Sequence, residues 1–391
     1  MRIFWVCHVY LDTGLYATSR LEMSRNLSAL GHRIHLIVPS VPRDIPLRAL
    51  PKSIEEIKYI PTIRSPFIAS LSFPFLLFFY LLKTLRTQKP DLIVVDPSSL
   101  LGTMGIFLLP VARSSINFVL DIRSPPVERE GVRRFLQEIQ YRASLIIAKH
   151  LFEGISVITT TMKEEISSRF KIDPAKIGIW TSGVSLDLFD YRKEASGNRL
   201  RKKLELCDRF IVMYHGLITR EREITKIVEA IERVVPQHKE ITFFILGSGP
   251  FEDKIRNIIK TRKLEKNVIV HPAVPYEEVP KFVSICDVGT WIMPNCSWLK
   301  SSSPLKALEY LAMRKPIIAS DIPFHREIMK NGCCGLLIKS NNPDVIAEAI
   351  NTLYENKGML KQMGKNGRKV VEQYYSWKSK AKDFERFLER L

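Results

Sequence analysis

The chain has 391 residues, of which 46% are hydrophobic and 26% are charged. This mixture excludes an intrinsically disordered protein and is sufficient for two folded domains. Lys and Arg number 59 against 41 Asp and Glu, which gives a formal net charge of +18, so a polyanionic partner or an anionic membrane surface has to be considered.

The first predicted element is a strand, "RIFWVCHV", at 2–9. Its apolar run is too short for a signal peptide, and no small-residue cleavage site follows it. A helix is predicted over 17–30, because Gly31 comes directly after it and glycine commonly follows a helix. The next apolar run, at 32–38, predicts a second strand.

An uncharged segment of 18 residues, 65–82, is followed by Lys83, Arg86 and Lys89. Spanning a bilayer takes about 20 apolar residues, and this segment contains Pro74 and several serines. We favour a buried or partly exposed crossover helix over a helix that lies on a membrane surface. A transmembrane helix is the least favoured of the three interpretations.

Short apolar runs alternate with amphipathic helical stretches along the rest of the chain. Further strands are predicted at 91–96, 117–122, 154–161, 176–183, 210–216, 241–249, 267–273, 288–294, 315–321 and 334–340. Such runs of Ile, Val and Leu between helices are typical of parallel sheets covered on both faces. Because the polar stretch 190–203 separates two series of strands, we predict an α/β protein. Its two Rossmann-like doubly wound domains, 1–190 and 195–374, are expected to face each other across a cleft.

Loops after two strands of the second domain carry candidate binding residues, because ligands bind at the carboxyl ends of strands in such sheets. The stretch "ILGSGP" holds Gly247 and Gly249, which let a backbone approach a ligand but are equally typical of a plain tight turn. The stretch "YHGLITRER" places Gly216 at the end of a strand, with Arg220 and Arg222 after it. A guanidinium matches phosphate oxygens, and the alternative is a solvated helix start.

The stretch "SSSPLKALEYLAMRKP" (301–316) predicts a helix with Ser303 as its N-cap and Pro304 as its first residue. Lys306 then lies in the first turn, where a cation opposes the helix dipole by about 0.3–1 kcal/mol, and Glu309 lies one turn further on. An anion bound over the serines and the free N–H groups removes that cost. We favour an anion site over the alternative, in which Lys306 extends into water and pairs weakly with Glu309.

These stretches, together with "WTSGVSLDLF" (180–189) and "YYSWKSKAKDFERFL" (374–388), resemble the GT-B glycosyltransferases of the retaining family four, or glycosyl transferases group 1. The resemblance covers nearly the whole chain. It implies transfer of a hexosyl group from a nucleotide-sugar donor to a glycan or lipid-linked acceptor, with retention at the anomeric carbon and without a metal or other cofactor. It also implies that a C-terminal helix, 375–391, packs back on the first domain.

The resemblance assigns roles to individual residues of the second domain. Arg222, Lys306 and the backbone amides around Ser302–Leu305 are expected to stabilise the charge that develops on the leaving β-phosphate. Glu309 is expected to contact the donor ribose. The expected catalytic residues are thus Arg222, Lys306 and Glu309. The implied donor-binding residues are Gly216, Arg220, Gly247, Gly249, Ser302, Ser303, Leu305 and Glu309.

Several positions depart from the family pattern, and three of them bear on the expected site. Ser301 stands where a first glutamate is expected, and Leu217 stands at one of two basic positions, so we expect Arg220 to supply the missing charge. In "FVLDIRSP", Ser124 replaces the last acid of a D-x-R-D element. Arg20, on the helix near the N-terminus, is expected to face water rather than an acidic acceptor. The residues expected on the acceptor side or in the domain cleft are Gly14, Asp121 and Arg123.

Two other functions stay open: a catalytically degenerate protein that binds nucleotide sugar, and a sugar-nucleotide epimerase of the same fold. A nucleic-acid partner is not expected, since no basic stripe with interleaved aromatic residues occurs. Six cysteines without CxxC spacing favour a reducing cytoplasm. The charge and the segment 65–89 favour peripheral contact with the inner face of the cell membrane, in the synthesis of cell-envelope polysaccharide.

Overall fold

The structure is a computed structural model that describes residues 1–11, 18–40, 56–62, 66–107, 115–126, 131–193, 195–294 and 300–391. The chain divides into two compact units. Unit 1 comprises Met1–Ser182 and Trp377–Leu391, and unit 2 comprises Gly183–Ser376. The division between the units therefore falls after Ser182 and not in the predicted linker at 190–203.

Unit 1 is built on a seven-stranded parallel sheet with the strand order β3-β2-β1-β4-β5-β6-β7. Its elements are β1 (Arg2–Val6), α1 (Thr18–Ala29), β2 (Arg33–Ser40), β3 (Glu56–Pro61), α2 (Pro66–Thr84), β4 (Leu92–Val95), α3 (Leu100–Phe107), β5 (Asn117–Ile122), α4 (Gly131–Leu151), β6 (Gly154–Val157), α5 (Thr160–Phe170), β7 (Ile177–Ile179) and, from the C-terminal part, α14 (Trp377–Leu388). The strand β3 was not predicted from the sequence. Charged residues interrupt its apolar pattern. They are tolerated because β3 is an edge strand with one neighbouring strand.

Helices cover both faces of this sheet. On one face, α2, α3, α4 and α5 share one apolar core, which includes Leu77, Ile106, Leu145 and Ile166 from the four helices. On the other face, Phe384 of α14 packs against Trp5 of β1 and against Trp180, with ring centroids 5.8 and 5.5 Å apart. The C-terminal helix is thus part of the core of unit 1.

The uncharged segment at 65–82 forms most of α2, which packs closely against α3. A Cβ added at Gly102 would lie 2.7 Å from the carbonyl oxygen of Pro74, and one added at Gly105 would lie 2.5 Å from the ring of Phe78. The two glycines of α3 therefore allow the close approach. The segment is a crossover helix between β3 and β4, and among the described residues no helix has the length and apolarity needed to cross a bilayer.

Unit 2 is built on a six-stranded parallel sheet with the order β10-β9-β8-β11-β12-β13. Its elements are α6 (Ala195–Lys203), β8 (Phe210–His215), α7 (Ile224–Val234), β9 (Ile241–Leu246), α8 (Glu252–Thr261), β10 (Val268–His271), α9 (Val279–Ile285), β11 (Val288–Trp291), α10 (Leu305–Ala312), β12 (Ile317–Ser320), α11 (Pro323–Asn331), β13 (Gly335–Ile338), α12 (Pro343–Glu355) and α13 (Lys357–Tyr374). The prediction of two Rossmann-like parallel-sheet domains is confirmed.

Part of the predicted linker is the helix α6. Its Leu200 is buried, and its Arg201 donates a hydrogen bond of 2.7 Å to the carbonyl oxygen of Ile285 and pairs with Asp287 at 2.7 Å. The charged residues of 190–203 suggested a solvated linker, but one apolar side chain and one ion pair hold this stretch on unit 2.

Candidate active site

The predicted binding residues of unit 2 lie at the carboxyl ends of β8, β9 and β11. In the strand order, β9 lies on one side of β8 and β11 lies on the other. The loops that leave β8 and β11 therefore diverge. This switch point is where open parallel sheets bind ligands.

Close backbone contacts explain the glycines of these loops. The N–H of Gly216 donates to the carbonyl oxygen of Leu246 at 2.9 Å. A Cβ at Gly247 would lie 1.9 Å from the carbonyl oxygen of Gly216, and one at Gly249 would lie 2.3 Å from that of Ile218. Gly216 itself has a φ of +136°, which favours glycine. The glycines are required for the two loops to pack, whether or not a ligand binds there.

The helix α10 begins one residue later than predicted. Pro304 occupies the N-cap position with an extended backbone (φ −71°, ψ 124°), and Leu305 is the first helical residue. Ser303 is therefore not the cap, and Lys306 is the second residue of the helix. The first turn contains no acidic side chain. Lys306 therefore lies in the first turn of the helix, where the helix dipole disfavours a cation.

Arg222 and Lys306 converge on the ring of Trp291, the last residue of β11. The Arg222 Cζ lies 5.1 Å from the ring centroid and the Lys306 Nζ lies 5.8 Å from it. The ring of Tyr214 lies parallel to that of Trp291, with an interplanar angle of 4° and a centroid distance of 6.4 Å. Arg222 also donates a hydrogen bond of 3.6 Å to the Met293 sulfur. Aromatic side chains therefore hold the two cations near each other.

Holding these two cations close together costs electrostatic free energy. Burial lowers the pKa of Lys306, Glu309 partly opposes this shift, and the charge of Arg222 adds to it. Lys306 is partly buried, which contradicts the part of the alternative interpretation in which this lysine extends into water. The interaction with Glu309, which the alternative included, is present. Within the described parts of unit 2, Arg222 forms no ion pair with a carboxylate. An anion placed between Arg222 and Lys306 would relieve their repulsion.

Glu309 is 2% exposed and has a polar side chain on each of two sides. The hydroxyl of Tyr276 donates to its Oε1 at 2.9 Å, and the Nε2 of His215 lies 3.4 Å from its Oε2. Burial raises the pKa of Glu309, while Lys306 and the Tyr276 hydrogen bond counteract this. Burial and the charge of Lys306 lower the pKa of His215 to about 3, so this imidazole is neutral at neutral pH.

The other predicted donor-site residues lie at different depths. Ser301 and Ser303 are buried, whereas Ser302 and Leu305 are partly buried next to the start of α10. Arg220 begins a single 3₁₀ turn that ends at Arg222, and its side chain is exposed. Among the described residues, no contact joins Arg220 to the cluster at Trp291, and its expected role in place of the missing basic residue stays a prediction.

Two of the predicted residues of unit 1, Asp121 and Arg123, lie in one cluster around Trp180. Asp121 is fully buried, and its Oδ1 accepts hydrogen bonds from Ser156 at 2.8 Å and from the Trp180 indole at 3.1 Å. Burial raises the pKa of Asp121, and Arg123 and Arg20 oppose this. The guanidinium of Arg123 lies 3.3 Å from the centroid of the Trp180 ring.

Two further expectations for unit 1 can be compared with this cluster. Arg20 is 8% exposed, so the expectation that it faces water is wrong. Its charge lies close enough to Asp121 to affect the pKa of that carboxyl group. Gly14 lies outside the residues that the structure describes.

Four residues of the site in unit 2 were not singled out from the sequence: Tyr214, His215, Tyr276 and Trp291. His215 and Trp291 are the last residues of β8 and β11, so attention to the carboxyl end of each predicted strand would have found them. Tyr276 lies in the segment after β10 and carries no local signal. Among the described residues, no group of three His, Cys, Asp or Glu side chains is placed to hold a metal ion.

Two family models match the sequence. The model described as glycosyl transferases group 1 matches residues 197–370, and the model described as glycosyltransferase family 4 matches residues 17–188. The first match falls in unit 2, and the second falls in unit 1 except for its last residues, 183–188.

Relatives and solved structures agree with these matches. The chain is 22% identical to alpha-D-kanosaminyltransferase of Streptomyces kanamyceticus over 57% of this chain and 56% of that protein, and so spans little more than half of that relative. It is 20% identical to the uncharacterized glycosyltransferase MJ1069 of Methanocaldococcus jannaschii, over 95% of this chain and 93% of that protein. Anabaena Alr3699/HepE, solved with UDP and glucose, has the same fold, with a TM-score of 0.78, 14% identity and full coverage of both chains.

Proposed function

Because this chain belongs to the group 1 glycosyltransferases with a GT-B fold, we propose that it moves a sugar from a nucleotide-sugar donor to a glycan or lipid-linked acceptor. We further propose that the sugar is a hexose, that the anomeric configuration is retained and that no metal is required. The similar Anabaena protein was solved with UDP-glucose, which supports a nucleotide sugar as the donor class.

One observation carries the proposal: Arg222 and Lys306 meet at Trp291, beside the N-terminus of α10. Two cations beside a helix N-terminus can together bind a diphosphate, which carries more than one negative charge. The stacked Tyr214 and Trp291 rings limit the movement of both cations. The site is therefore arranged in advance for charge on the diphosphate, which is where preorganised groups stabilise a transition state most.

In the reaction we propose, the bond between the anomeric carbon and the β-phosphate oxygen breaks. The acceptor hydroxyl attacks from the same face and forms the new glycosidic bond, and its proton passes to the leaving phosphate. Lys306 and Arg222 stabilise the negative charge that grows on that phosphate. Glu309 accepts hydrogen bonds from the donor ribose, and Tyr276 fixes the carboxylate for this task.

We also propose that the protein works in the cytoplasm, at the inner face of the cell membrane, where lipid-linked acceptors occur. The net charge of +18 supports attraction to an anionic surface. Within the segment 65–89, Phe75 and Phe79 of α2 are exposed, and Lys83 lies in the last turn of this helix. At this location the protein would meet the lipid-linked acceptors that are used in cell-envelope polysaccharide synthesis.

Thermal unfolding in the presence of UDP-, GDP- and ADP-sugars tests donor binding, because a ligand that binds only the folded state raises the melting temperature. We expect one nucleotide class to raise it, and we expect the double variant Arg222→Gln/Lys306→Met to lose this effect. Lys330→Met is the matched control, since Lys330 is exposed on α11. If no nucleotide sugar changes the melting temperature, the donor site is wrong.

Product analysis by NMR separates transfer from the two other functions. A new glycoside formed with an extracted acceptor, with the donor configuration retained, is expected. An isomerised nucleotide sugar would instead identify an epimerase. Nucleotide binding with neither product, across a panel of acceptors, would identify a catalytically degenerate binding protein.

A further inference from the structure

A cavity of about 500 Å³ lies in unit 2, at the amino ends of its strands. Its walls include Phe210, the first residue of β8, and Asp287 and Pro316, which directly precede β11 and β12. The candidate active site lies at the carboxyl ends of the same sheet. Because β8 is six residues long, its two ends are about 17 Å apart. The cavity is therefore separate from the candidate donor site.

The residues around this cavity carry an excess of positive charge. Three of them are acidic and six are basic, the basic ones being Arg201, Arg209, Arg314, Lys315, Lys357 and Lys361. Two of the acidic residues already have partners: Asp287 pairs with Arg201 at 2.7 Å, and Glu240 accepts a hydrogen bond from the Tyr354 hydroxyl. The acidic residues neutralise at most half of the basic charge, so an anion in the cavity would be attracted.

Three of the basic residues are available to a ligand. Within the described part of the chain, Lys357, Lys361 and Arg314 form no ion pair with a carboxylate. Lys357 and Lys361 are exposed and lie one turn apart on α13, so they lie on the same side of that helix. The guanidinium of Arg314 lies 3.4 Å from the centroid of the Tyr191 ring, which restricts its movement.

The backbone of Arg314 is unusual for an arginine. It follows α10 with a φ of +56°, a left-handed conformation that favours glycine and is unfavourable for a residue with a Cβ. Backbone strain of this kind is common at functional sites. The chain therefore keeps a cation beside the cavity at a position where glycine would fit the backbone better.

The rest of the cavity wall is partly apolar. Tyr354 packs edge-on against Phe210, with ring centroids 5.3 Å apart, and Pro316 and Leu360 also line the cavity. A cavity of this volume that combines apolar walls with a few charged groups is typical of a site for a small molecule.

We propose that this cavity binds a small compound that carries a diphosphate or triphosphate group. Lys357, Lys361 and Arg314 contact the phosphate oxygens, and a phosphate chain supplies several negative charges within a small volume. A single-stranded nucleic acid is a less suitable ligand, because the cations surround one cavity and do not follow an extended groove. The proposal does not depend on sugar transfer.

Protection of a cysteine from alkylation locates the ligand, because Cys207 lines the cavity and is exposed. The full chain is treated with iodoacetamide in tripolyphosphate or in sodium chloride of equal ionic strength, and alkylation of each cysteine is followed by mass spectrometry. We expect tripolyphosphate to slow the alkylation of Cys207 about tenfold, as about 90% occupancy of a protecting site would. Cys333, which is also exposed but does not line the cavity, should react at an unchanged rate.

Variants separate this cavity from the donor site. Lys357→Gln/Lys361→Gln should raise the tripolyphosphate concentration needed for protection about tenfold, since each exposed ion pair contributes a factor of up to about five. The matched control Lys365→Gln/Lys369→Gln removes the same charge at the same spacing from the same helix, outside the cavity, and should leave protection unchanged. Arg222→Gln/Lys306→Met, which removes the donor site, should also keep full protection of Cys207.

Three results would overturn the proposal. One is a wild-type protein in which tripolyphosphate does not protect Cys207, and another is full protection in Lys357→Gln/Lys361→Gln. The third is an equal loss of protection in Lys365→Gln/Lys369→Gln or in Arg222→Gln/Lys306→Met, because binding would then follow the overall charge or the donor site. Both lysine pairs are exposed, so these variants should keep the wild-type melting temperature, and a loss of protection cannot be attributed to unfolding.

Discussion

Replacing Lys306 by methionine should lower activity without lowering stability. Methionine has a similar length and no charge, so the substitution removes the cation and leaves most of the packing against Trp291. The pKa of Lys306 is lowered by burial and by Arg222 even though Glu309 acts in the opposite direction. The environment of Lys306, with Glu309 included, therefore disfavours its positive charge in the absence of ligand.

The expected effects of Lys306→Met on stability and on activity have opposite signs. A lowered pKa in the folded state means that the folded protein binds the lysine proton less tightly than the unfolded chain does, which costs stability at neutral pH. Lys306→Met removes this cost, so its melting temperature should equal or exceed that of the wild type. A charge-assisted hydrogen bond is worth about 1.5–3 kcal/mol, so loss of the contact with the diphosphate should reduce kcat/KM about 10- to 150-fold.

Steady-state kinetics with the donor that the binding screen identifies, combined with calorimetric melting, measures both effects. Lys306→Arg should recover part of the activity, because it restores a cation without restoring the geometry. Lys330→Met should change neither quantity. A variant Lys306→Met that keeps wild-type kcat/KM, or one that melts well below the wild type, would refute the assignment of Lys306 as a functional cation placed at the expense of stability.

Three further predictions concern neighbouring residues. Burial and Lys306 lower the pKa of His215 from 6.5 to about 3. The unfolded chain therefore takes up a proton that the folded chain does not, and stability should fall as the pH is lowered from 6.5 towards 3. Melting curves of His215→Asn should show a smaller decrease over this range. Gly247→Ala should destabilise the protein by about 1–3 kcal/mol in denaturant titrations, because its Cβ would meet the Gly216 carbonyl oxygen at 1.9 Å; Gly358→Ala, which meets nothing within 4 Å, should not. Tyr276→Phe leaves the Oε1 of Glu309 without its donor and should raise the donor KM about tenfold, with a smaller change in kcat.

Much of the fold could be predicted from the sequence because the apolar runs are long and regular. The strands β8 and β9 are buried along their whole length, so they read as nearly unbroken apolar stretches. The edge strand β3 has one neighbouring strand and contains Glu56 and Lys58, and its pattern is correspondingly weak. The linker prediction failed for the related reason that α6 is polar apart from Leu200.

The candidate site was predicted where one short stretch holds several of its residues. Lys306 and Glu309 lie on one helix and could be recognised together, and the spacing of glycines marked both loops. Contacts between residues that are far apart in the chain left no such signal in the sequence. Tyr276 reaches Glu309 and Trp291 meets Arg222 only through the sheet order, which places β8 next to β11. Arg20 illustrates the opposite error, since nothing in its local sequence reveals that the fold buries it.

A crystal structure of the protein with a bound nucleotide sugar tests the central claim most directly. The account predicts a β-phosphate oxygen within about 3.2 Å of the Lys306 Nζ, a second phosphate oxygen at a similar distance from the Arg222 guanidinium, and the ribose hydroxyls at Glu309. A diphosphate found elsewhere in the protein, with Lys306 and Arg222 in contact only with solvent, would contradict it.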